Sequence, residues 1–135
     1  MKQIIFILYL CVSNWAQATP LNSQSQAEIE HLFDFLSKSG CEFQRNGSWY
    51  AAPKAAEHIR KKYDYLIKRD LINGADKFIE LAASKSSLSG KEYQVKCADK
   101  ATIPSAKWFT QELARYRAET QHSTTKNSQS FSSKQ

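Results

Sequence analysis

The sequence has 135 residues, of which 41% are hydrophobic, and it carries a formal net charge of +6. A chain of this length can form one domain with a modest hydrophobic core. Beyond the N-terminal stretch no segment is long and apolar enough to cross a membrane, so we expect no membrane insertion of the mature chain. The positive charge suits solubility or an acidic partner. Because no helix carries an unbroken basic and aromatic stripe, we expect no nucleic-acid partner.

The first 18 residues have the three-part pattern of a secretory signal peptide. Lys2 supplies a positive start, residues 4–12 form an apolar run, and Ala16-Gln17-Ala18 places small residues at the cleavage site. The run is too short to span a bilayer. We therefore predict cleavage after Ala18 and export from the cytoplasm. An uncleaved anchor is the alternative, and Leu10 before Cys11 argues against lipidation.

A short polar lead-in, residues 19–24, precedes the first predicted helix. Ser25, with Glu28 three residues later, is typical of a capping box and predicts that the helix begins at Ser25. Gly40 ends it, and His31 lies off its apolar stripe, so we expect His31 to be a solvated surface residue. The residues of that stripe recur at helical spacing: Ile29, Leu32, Phe33 and Leu36.

Residues 41–51 predict a β-hairpin. Asn46-Gly47 is a dipeptide that accepts positive φ at both positions of a two-residue turn. Side chains alternate along the first arm, so Cys41, Phe43 and Arg45 share one face. Because Phe43 should face the core, the same alternation turns Cys41 inward.

Two more helices, a strand and a last helix follow the hairpin. Pro53 suits the first turn of a helix over residues 54–70, and a third helix is predicted at about residues 75–85. Residues 92–97 alternate as a strand, with Tyr93, Val95 and Cys97 on one face. This strand should join the hairpin, because an isolated hairpin is only marginally stable. Pro104 and Ser105 begin the last helix.

The predicted fold class is α+β, with about four helices and a small antiparallel sheet formed by the hairpin 41–51 and the strand 92–97. We expect a single domain over residues 25–118. Residues 119–135 are rich in serine, threonine and glutamine. Since they have too few apolar side chains to offset the entropy of ordering, we predict a disordered polar tail.

Removal of the leader leaves two cysteines, Cys41 and Cys97. An isolated pair outside the cytoplasm usually oxidises, and both cysteines fall on the apolar-facing side of their strands. We therefore predict a disulfide, with free thiols and a catalytic thiol as the alternatives. No Cys-x-x-Cys or His-x-x-x-His spacing occurs, so we expect neither a metal site nor a cofactor.

Four segments occur in an order that is similar to a known family: F-x-R-N-G at 43–47, A-x-H-I-R-x-K at 56–62, A-x-x-F-I at 75–79 and SS-x-SGK-x-Y-x-V at 86–95. With these segments, residues 26–117 resemble the YfeK-like family of small exported bacterial proteins, a domain family of unknown function. The resemblance implies a periplasmic location. It implies no established activity.

The stretch SKSSLSGK, residues 84–91, looks at first like a phosphate-binding loop. Such a loop needs several glycines and a helix after its lysine, whereas here Gly90 stands alone and a strand follows Lys91. A polar turn is the ordinary interpretation. The sharper hypothesis is a weak anion site, formed if basic and hydroxyl groups of the family-like segments converge on a carboxylate or phosphate. Its candidate residues are Arg45, His58, Lys62, Ser87, Ser89 and Lys91.

Three function classes stay open. The first is a non-catalytic binding or interaction module whose partner is an acidic ligand, an acidic polymer or an envelope protein. The second is an inhibitor or immunity-like protein of an envelope enzyme, a role that small size and a disulfide suit. The third is a small hydrolase. The sequence has no nucleophile-elbow pattern, and we assign no catalytic residue.

Overall fold

The structure, a computed structural model, describes residues 20–132, with side chains through residue 127. Within this range four α-helices, a π-helical turn and four strands confirm the predicted α+β class. Their bounds are α1 Ser23–Lys38, β1 Glu42–Arg45, β2 Ser48–Ala51, α2 Ala52–Ile67, α3 Ala75–Phe78, the π-helical turn Ile79–Ala83, β3 Gln94–Lys96, β4 Ile103–Pro104 and α4 Ser105–Ser132. The predicted signal peptide, residues 1–18, lies outside the described residues.

The four strands of the described chain form one antiparallel sheet in the order β2-β1-β3-β4. Strand β3 is shorter than the predicted 92–97, but it pairs with β1, so the predicted junction between the hairpin and the third strand is confirmed. Strand β4 is not evident from the sequence, because two residues ending in proline give no alternation. Pro104 lies on the edge strand, where its missing N–H costs little.

The hairpin turn has the geometry that its dipeptide predicts. Asn46 has φ 50° and Gly47 has φ 85°, the left-handed values that a two-residue hairpin turn requires. Across the turn Phe43 pairs with Tyr50 and Arg45 with Ser48. Phe43 is buried, and Arg45 lies on the same face of β1 at the end of the strand.

The helices pack against the face of the sheet that carries Phe43 and Val95. The stripe predicted for α1 is buried as expected, and in α2 the buried side includes Ala55, Ile59 and Leu66. Aromatic rings from separate elements meet in this core. Its largest fully buried side chains are Phe78, Phe109, Ile29, Leu32, Leu36, Leu113 and Val95.

Helix α1 begins earlier than predicted. Asn22 is the N-cap, and its Oδ1 accepts a hydrogen bond from the Ser25 amide at 2.8 Å. The predicted capping box with Ser25 as the cap is therefore wrong. Asparagine caps helices as well as serine does, and here it stands three residues upstream. The helix consequently takes in part of the predicted lead-in 19–24.

The predicted third helix is in two parts, α3 and a π-helical turn that directly follows it. A wide turn leaves its last carbonyls without the usual α-helical donors. Two serines supply donors here, since Ser84 Oγ donates to the Ile79 carbonyl and Ser105 Oγ donates to the Ala83 carbonyl at 2.8 Å. Ser105 is fully buried, so this bond also ties α4 to the turn.

Helix α4 continues to Ser132, whereas the sequence predicted a disordered tail from residue 119. Composition indicates that this segment buries little, and its described side chains are indeed exposed. Helical hydrogen bonds are local and need no core contact. Hydroxyl groups add to them, because Thr120, Ser123 and Thr125 each donate to a carbonyl four residues earlier.

Cys41 and Cys97 form the predicted disulfide, with the sulfur atoms 2.01 Å apart and the Cα atoms 4.4 Å apart. The bond joins the residue before β1 to the residue after β3, two strands that pair directly. Cys41 is buried and Cys97 packs at the edge of the core. Between residues 20 and 132 no helix has the length and apolar character needed to span a membrane.

Candidate functional site

A cleft of about 200 Å³ opens between the hairpin and α2, and we call it the β1–α2 cleft. Phe43, Ala55 and Ile59 form its apolar floor. The remaining side chains are polar or charged, so the cleft combines an apolar interior with a polar mouth. These side chains are Gln44, Arg45, Tyr50, Lys54, Glu57, His58, Lys61 and Tyr93.

The strand register explains why Arg45 and Tyr93 meet in the cleft. Phe43 pairs with Val95 in the antiparallel ladder of β1 and β3. Arg45 lies two residues after Phe43, and Tyr93 lies two residues before Val95, so alternation puts all four side chains on one face. Helix α2 packs on this face and brings His58 to the same place.

Arg45, His58 and Tyr93 form a chain of polar contacts. Arg45 Nη1 lies 2.7 Å from His58 Nδ1, and His58 Nε2 lies 3.1 Å from the Tyr93 hydroxyl oxygen. A guanidinium has donors only, so Nδ1 accepts from Arg45. Nη1 also lies 3.2 Å from Nε2, but the shorter contact with Nδ1 assigns the accepting role to Nδ1 and the ring proton to Nε2, which then donates to Tyr93.

Burial and neighbouring charge disfavour the protonated form of His58. Burial, followed by the positive charges of Arg45, Lys62 and Lys61, lowers the pKa of His58 below its ordinary value. Burial also raises the pKa of the Tyr93 hydroxyl, which stays protonated. Beside the fixed charge of Arg45, the cleft thus favours the neutral forms of the His58 imidazole and the Tyr93 phenol.

The rim of the cleft carries one carboxylate, Glu57, and three cations, Lys54, Lys61 and Arg45. Glu57 accepts hydrogen bonds from Lys61 at 2.8 Å and from Lys54 at 3.1 Å, and these bonds lower the pKa of Glu57 to about 2. Arg45 has no carboxylate partner among the described residues. Its guanidinium lies over the Tyr50 ring, 5.4 Å from the centroid. The charge near the cleft is therefore net positive.

Lys62, a predicted site residue, lies outside the cleft lining. Its Nζ donates to the Lys85 carbonyl at 2.6 Å and lies 5.4 Å from the centroid of the Tyr93 ring. Burial, followed by the charge of Lys85, lowers the pKa of Lys62. Although His58 and Lys62 share a helix face, the lysine reaches across to the turn after the π-helical segment.

The serines and Lys91 also lie apart from the cleft. Ser89 Oγ donates to Asn46 Oδ1 at 2.6 Å, and the Ser86 hydroxyl accepts from the amides of Leu88 and Ser89. Ser87 and Lys91 are exposed. Residues 86–90 are a polar turn braced against the hairpin turn, and only Arg45 and His58 of the six predicted residues line the cleft.

The sequence analysis did not assign Tyr50, Lys54, Lys61 and Tyr93 to a site. A signal existed for Tyr93, since it shares a strand face with Val95 and follows the turn that was singled out. The lysines gave no such signal, because charged residues on a helix are usually solvated. Among the described residues, no cluster of three or more His, Cys, Asp or Glu could hold a metal ion.

A second histidine cluster joins α1 to α4. His31 Nε2 lies 2.5 Å from Glu112 Oε1, and the His31 ring stacks on Tyr116 with centroids 4.0 Å apart. Arg115 donates to the same carboxylate, at 2.9 Å through Nε. Burial would raise the pKa of Glu112, but the hydrogen bonds from Arg115 and His31 hold it below the ordinary value. The prediction that His31 is a solvated surface residue is wrong, because the ring contacts Glu112 and Tyr116 on α4. Glu112 comes from a distant part of the chain, so local sequence gave no sign of this contact.

Comparison with known proteins identifies the family. A family model described as "Family of unknown function (DUF5329)" matches residues 23–117. The chain belongs to this family. The chain is also 33% identical over 97 residues to the "Uncharacterized protein YfeK" of Salmonella typhimurium, and the match covers 69% of this chain and 77% of that protein. The YfeK-like resemblance is confirmed, and no solved structure matches the chain.

Proposed function

We propose that this protein is a non-catalytic binding module of the periplasm, which holds an acidic group of a ligand, polymer or protein in the β1–α2 cleft. One observation carries the proposal: Arg45 lines the cleft and has no carboxylate partner among the described residues. Arginine is the side chain best suited to bind a carboxylate or phosphate through two hydrogen bonds.

The shape and lining of the cleft support an acidic group attached to an apolar body. Phe43, Ala55 and Ile59 make the floor apolar, and the Tyr50 and Tyr93 rings lie beside it. Binding sites for small molecules are commonly apolar with a few placed polar groups. A volume of about 200 Å³ admits a small ring or a short side chain rather than a large ligand.

Two features of the chain support the periplasmic part of the proposal. The leader pattern of residues 1–18 and the disulfide between Cys41 and Cys97 both suit an oxidising compartment. Intact-mass measurement of the protein recovered from a periplasmic extract tests this. We expect the mass of a chain that begins at Thr19, lower by two hydrogens than that of the reduced chain because the disulfide has formed. A mass that still includes Met1 would contradict the proposed export.

Binding is tested by titrating the 15N-labelled domain with acetate, benzoate and inorganic phosphate. We expect saturable shifts confined to the cleft, largest with benzoate because it combines a carboxylate with a flat apolar ring. Arg45→Met should abolish the shifts. Arg69→Met is the matched control, since Arg69 also lies over a tyrosine ring, that of Tyr65 at 4.4 Å, but outside the cleft. Absence of shifts with all three anions, or equal shifts in Arg45→Met, would refute the proposal.

The alternative of an enzyme inhibitor is favoured by one feature, the turn at residues 86–90. Leu88 at its tip is 97% exposed. The turn does not depend on Leu88 for its shape, because Ser86 and Asn46 hold it through hydrogen bonds. A rigid protruding side chain of this kind suits insertion into the cleft of another protein.

The inhibitor alternative is tested on an envelope enzyme that co-purifies with the domain in fixed proportion. We expect the activity of that enzyme to fall in proportion to added domain until the two are equimolar, and Leu88→Asp to prevent this. Leu71→Asp is the control, since Leu71 is also an exposed leucine, at 49%, in a different loop. Equal effects of the two variants would exclude Leu88 as the inserted residue.

A further inference from the structure

His58 is the group in the β1–α2 cleft whose charge can change near neutral pH. The side chains that face it are Arg45 from β1, Tyr93 from the segment before β3, Lys61 and Lys62 from α2, and Tyr50 from β2. Arginine, lysine and tyrosine ordinarily titrate at about pH 10 or above. Glu57, the carboxylate of this cleft, has a pKa of about 2. Among these groups His58 is therefore the first to gain a proton as the pH falls below neutral.

Among the described residues a second proton on His58 has no acceptor. Nδ1 already accepts from Arg45 at 2.7 Å, and Nε2 donates to Tyr93. A doubly protonated ring would set an N–H donor and a positive charge directly against the guanidinium. This contact would be lost, and two cations would remain side by side in a half-buried place. The lowered pKa of His58 agrees with this conflict.

An acidic group in the cleft removes the conflict. A carboxylate or phosphate between the two side chains can accept from Arg45 with one oxygen and from protonated Nδ1 with another. The added proton on Nδ1 then has a hydrogen-bond acceptor instead of facing the positive guanidinium of Arg45. Tyr93 continues to accept from Nε2, so the imidazolium is held at both nitrogens.

We infer that the β1–α2 cleft binds the acidic group of its ligand together with one proton, which His58 holds, so that binding tightens as the pH falls. This inference rests on the proposed function and deepens it. Coupling of this kind is reciprocal. A ligand that favours protonated His58 must raise the affinity of His58 for its proton by the same factor.

The expected size follows from this reciprocity. If the ligand raises the pKa of His58 by about one unit, affinity at acidic pH exceeds affinity at alkaline pH by about tenfold. The ligand itself stays ionised over this range when it is a carboxylate. The change therefore comes from the protein.

Calorimetry with benzoate tests the inference on the intact domain. Titration at about pH 6, in two buffers that differ in ionisation enthalpy, counts the protons taken up. We expect uptake of a fraction of one proton per benzoate bound, and affinity that rises as the pH falls from about 7.5 and approaches the limit of about tenfold only below the lowered pKa of free His58. Proton NMR of the His58 ring should show its titration moving to higher pH when benzoate is present.

Variants separate this coupling from binding as such. His58→Gln keeps a polar side chain without a proton switch and should bind benzoate with the same affinity at both pH values. His122→Gln, which alters an exposed histidine on α4, should behave like the parent. Benzoate that binds equally at both pH values without proton uptake overturns the inference and leaves the proposed function standing. No binding at either pH overturns the proposed function itself.

Discussion

His31 and His58 each lie beside an arginine and a tyrosine ring, and the two clusters differ in one component. In the first, Glu112 accepts from His31 and from Arg115. In the second, Arg45 donates directly to His58, and no carboxylate of the described residues joins them. Tyr116 stacks on the first histidine, whereas Tyr93 accepts a hydrogen bond from the second.

The presence or absence of one carboxylate changes what such a cluster can do. In the cluster of His31, the buried carboxylate of Glu112 balances the positive charge of Arg115. This cluster needs no further partner, and it holds α1 against α4. The cluster of His58 has positive charge in excess and lies open to a cleft. Under the proposed function, an external anion supplies there what Glu112 supplies in the other cluster.

Both clusters depend on one scaffold, and loss of the disulfide should disrupt them together. Replacing Cys41 and Cys97 by serine opens a loop of sequence separation 56, and we expect unfolding to become easier by about 4 kcal/mol. Urea unfolding of the oxidised and substituted proteins measures this. Helix α4 contacts the hairpin through Trp108 and Phe43, 5.2 Å apart between ring centroids. NMR signals of His31 and His58 should therefore disappear at one urea concentration, and separate losses would show two independent regions.

Removal of the buried carboxylate should cost the next largest amount. Glu112→Gln leaves His31 without an anionic acceptor and Arg115 with the exposed Glu119 alone, and we expect a loss of about 2 kcal/mol in the free energy of unfolding. Glu119→Gln is the control, because Glu119 pairs with the same Arg115 but is exposed. The free energy of unfolding of Glu119→Gln should fall by no more than about 0.5 kcal/mol. Equal losses would mean that the burial of Glu112 does not matter.

Mild acid should affect the two clusters in different pH ranges. The folded state lowers the pKa of His58, so it binds fewer protons there than the unfolded state, and stability falls as the pH drops below about 6.5. The lowered pKa of Glu112 contributes a loss only below about 4.5. Thermal unfolding across this range should therefore show a first small decrease that His58→Gln removes. If the decrease in stability persists in His58→Gln, a group other than His58 causes it.

The smallest effect on stability should come from Arg45→Met, despite its central place in the cleft. Arg45 makes no ion pair with the described residues, so its loss should change the free energy of unfolding by less than about 0.5 kcal/mol. The pKa of His58 should rise, because a nearby positive charge is removed. Urea unfolding and NMR titration measure the two quantities. A loss of unfolding free energy as large as that of Glu112→Gln would contradict the difference between the two clusters.

Local sequence patterns predicted the parts of the fold that depend on neighbouring residues, such as the hairpin turn and the alternation of side chains along the strands. Asn46-Gly47 fixed the hairpin turn, and the parity of Cys41 and Cys97 about that hairpin predicted their bond. The start of α1 was wrong because two good capping residues, Asn22 and Ser25, stand close together and sequence does not rank them. Helix α4 runs past residue 119 because local hydrogen bonds continue where the core ends.

The site was only half predicted, because its members come from separate elements. Arg45 and His58 belong to family-like segments and do meet, through the strand register. Lys62 fails to join them because its long side chain finds a nearer acceptor, the Lys85 carbonyl. Sequence spacing puts His58 and Lys62 on one helix face, but it cannot tell where a flexible side chain ends.

The π-helical turn Ile79–Ala83 has a consequence for insertions and deletions in this chain. A π-helical turn is an α-helix widened by one extra residue. Because the wide turn absorbs that residue, deleting one residue there would narrow it to an α-helical turn and leave the chain after it in nearly the same orientation. Lys85, whose carbonyl accepts from Lys62, would then stay close to its present position. We therefore expect a one-residue deletion at this turn to be tolerated better than one inside α1 or α2, where it would rotate the rest of the helix by about 100°.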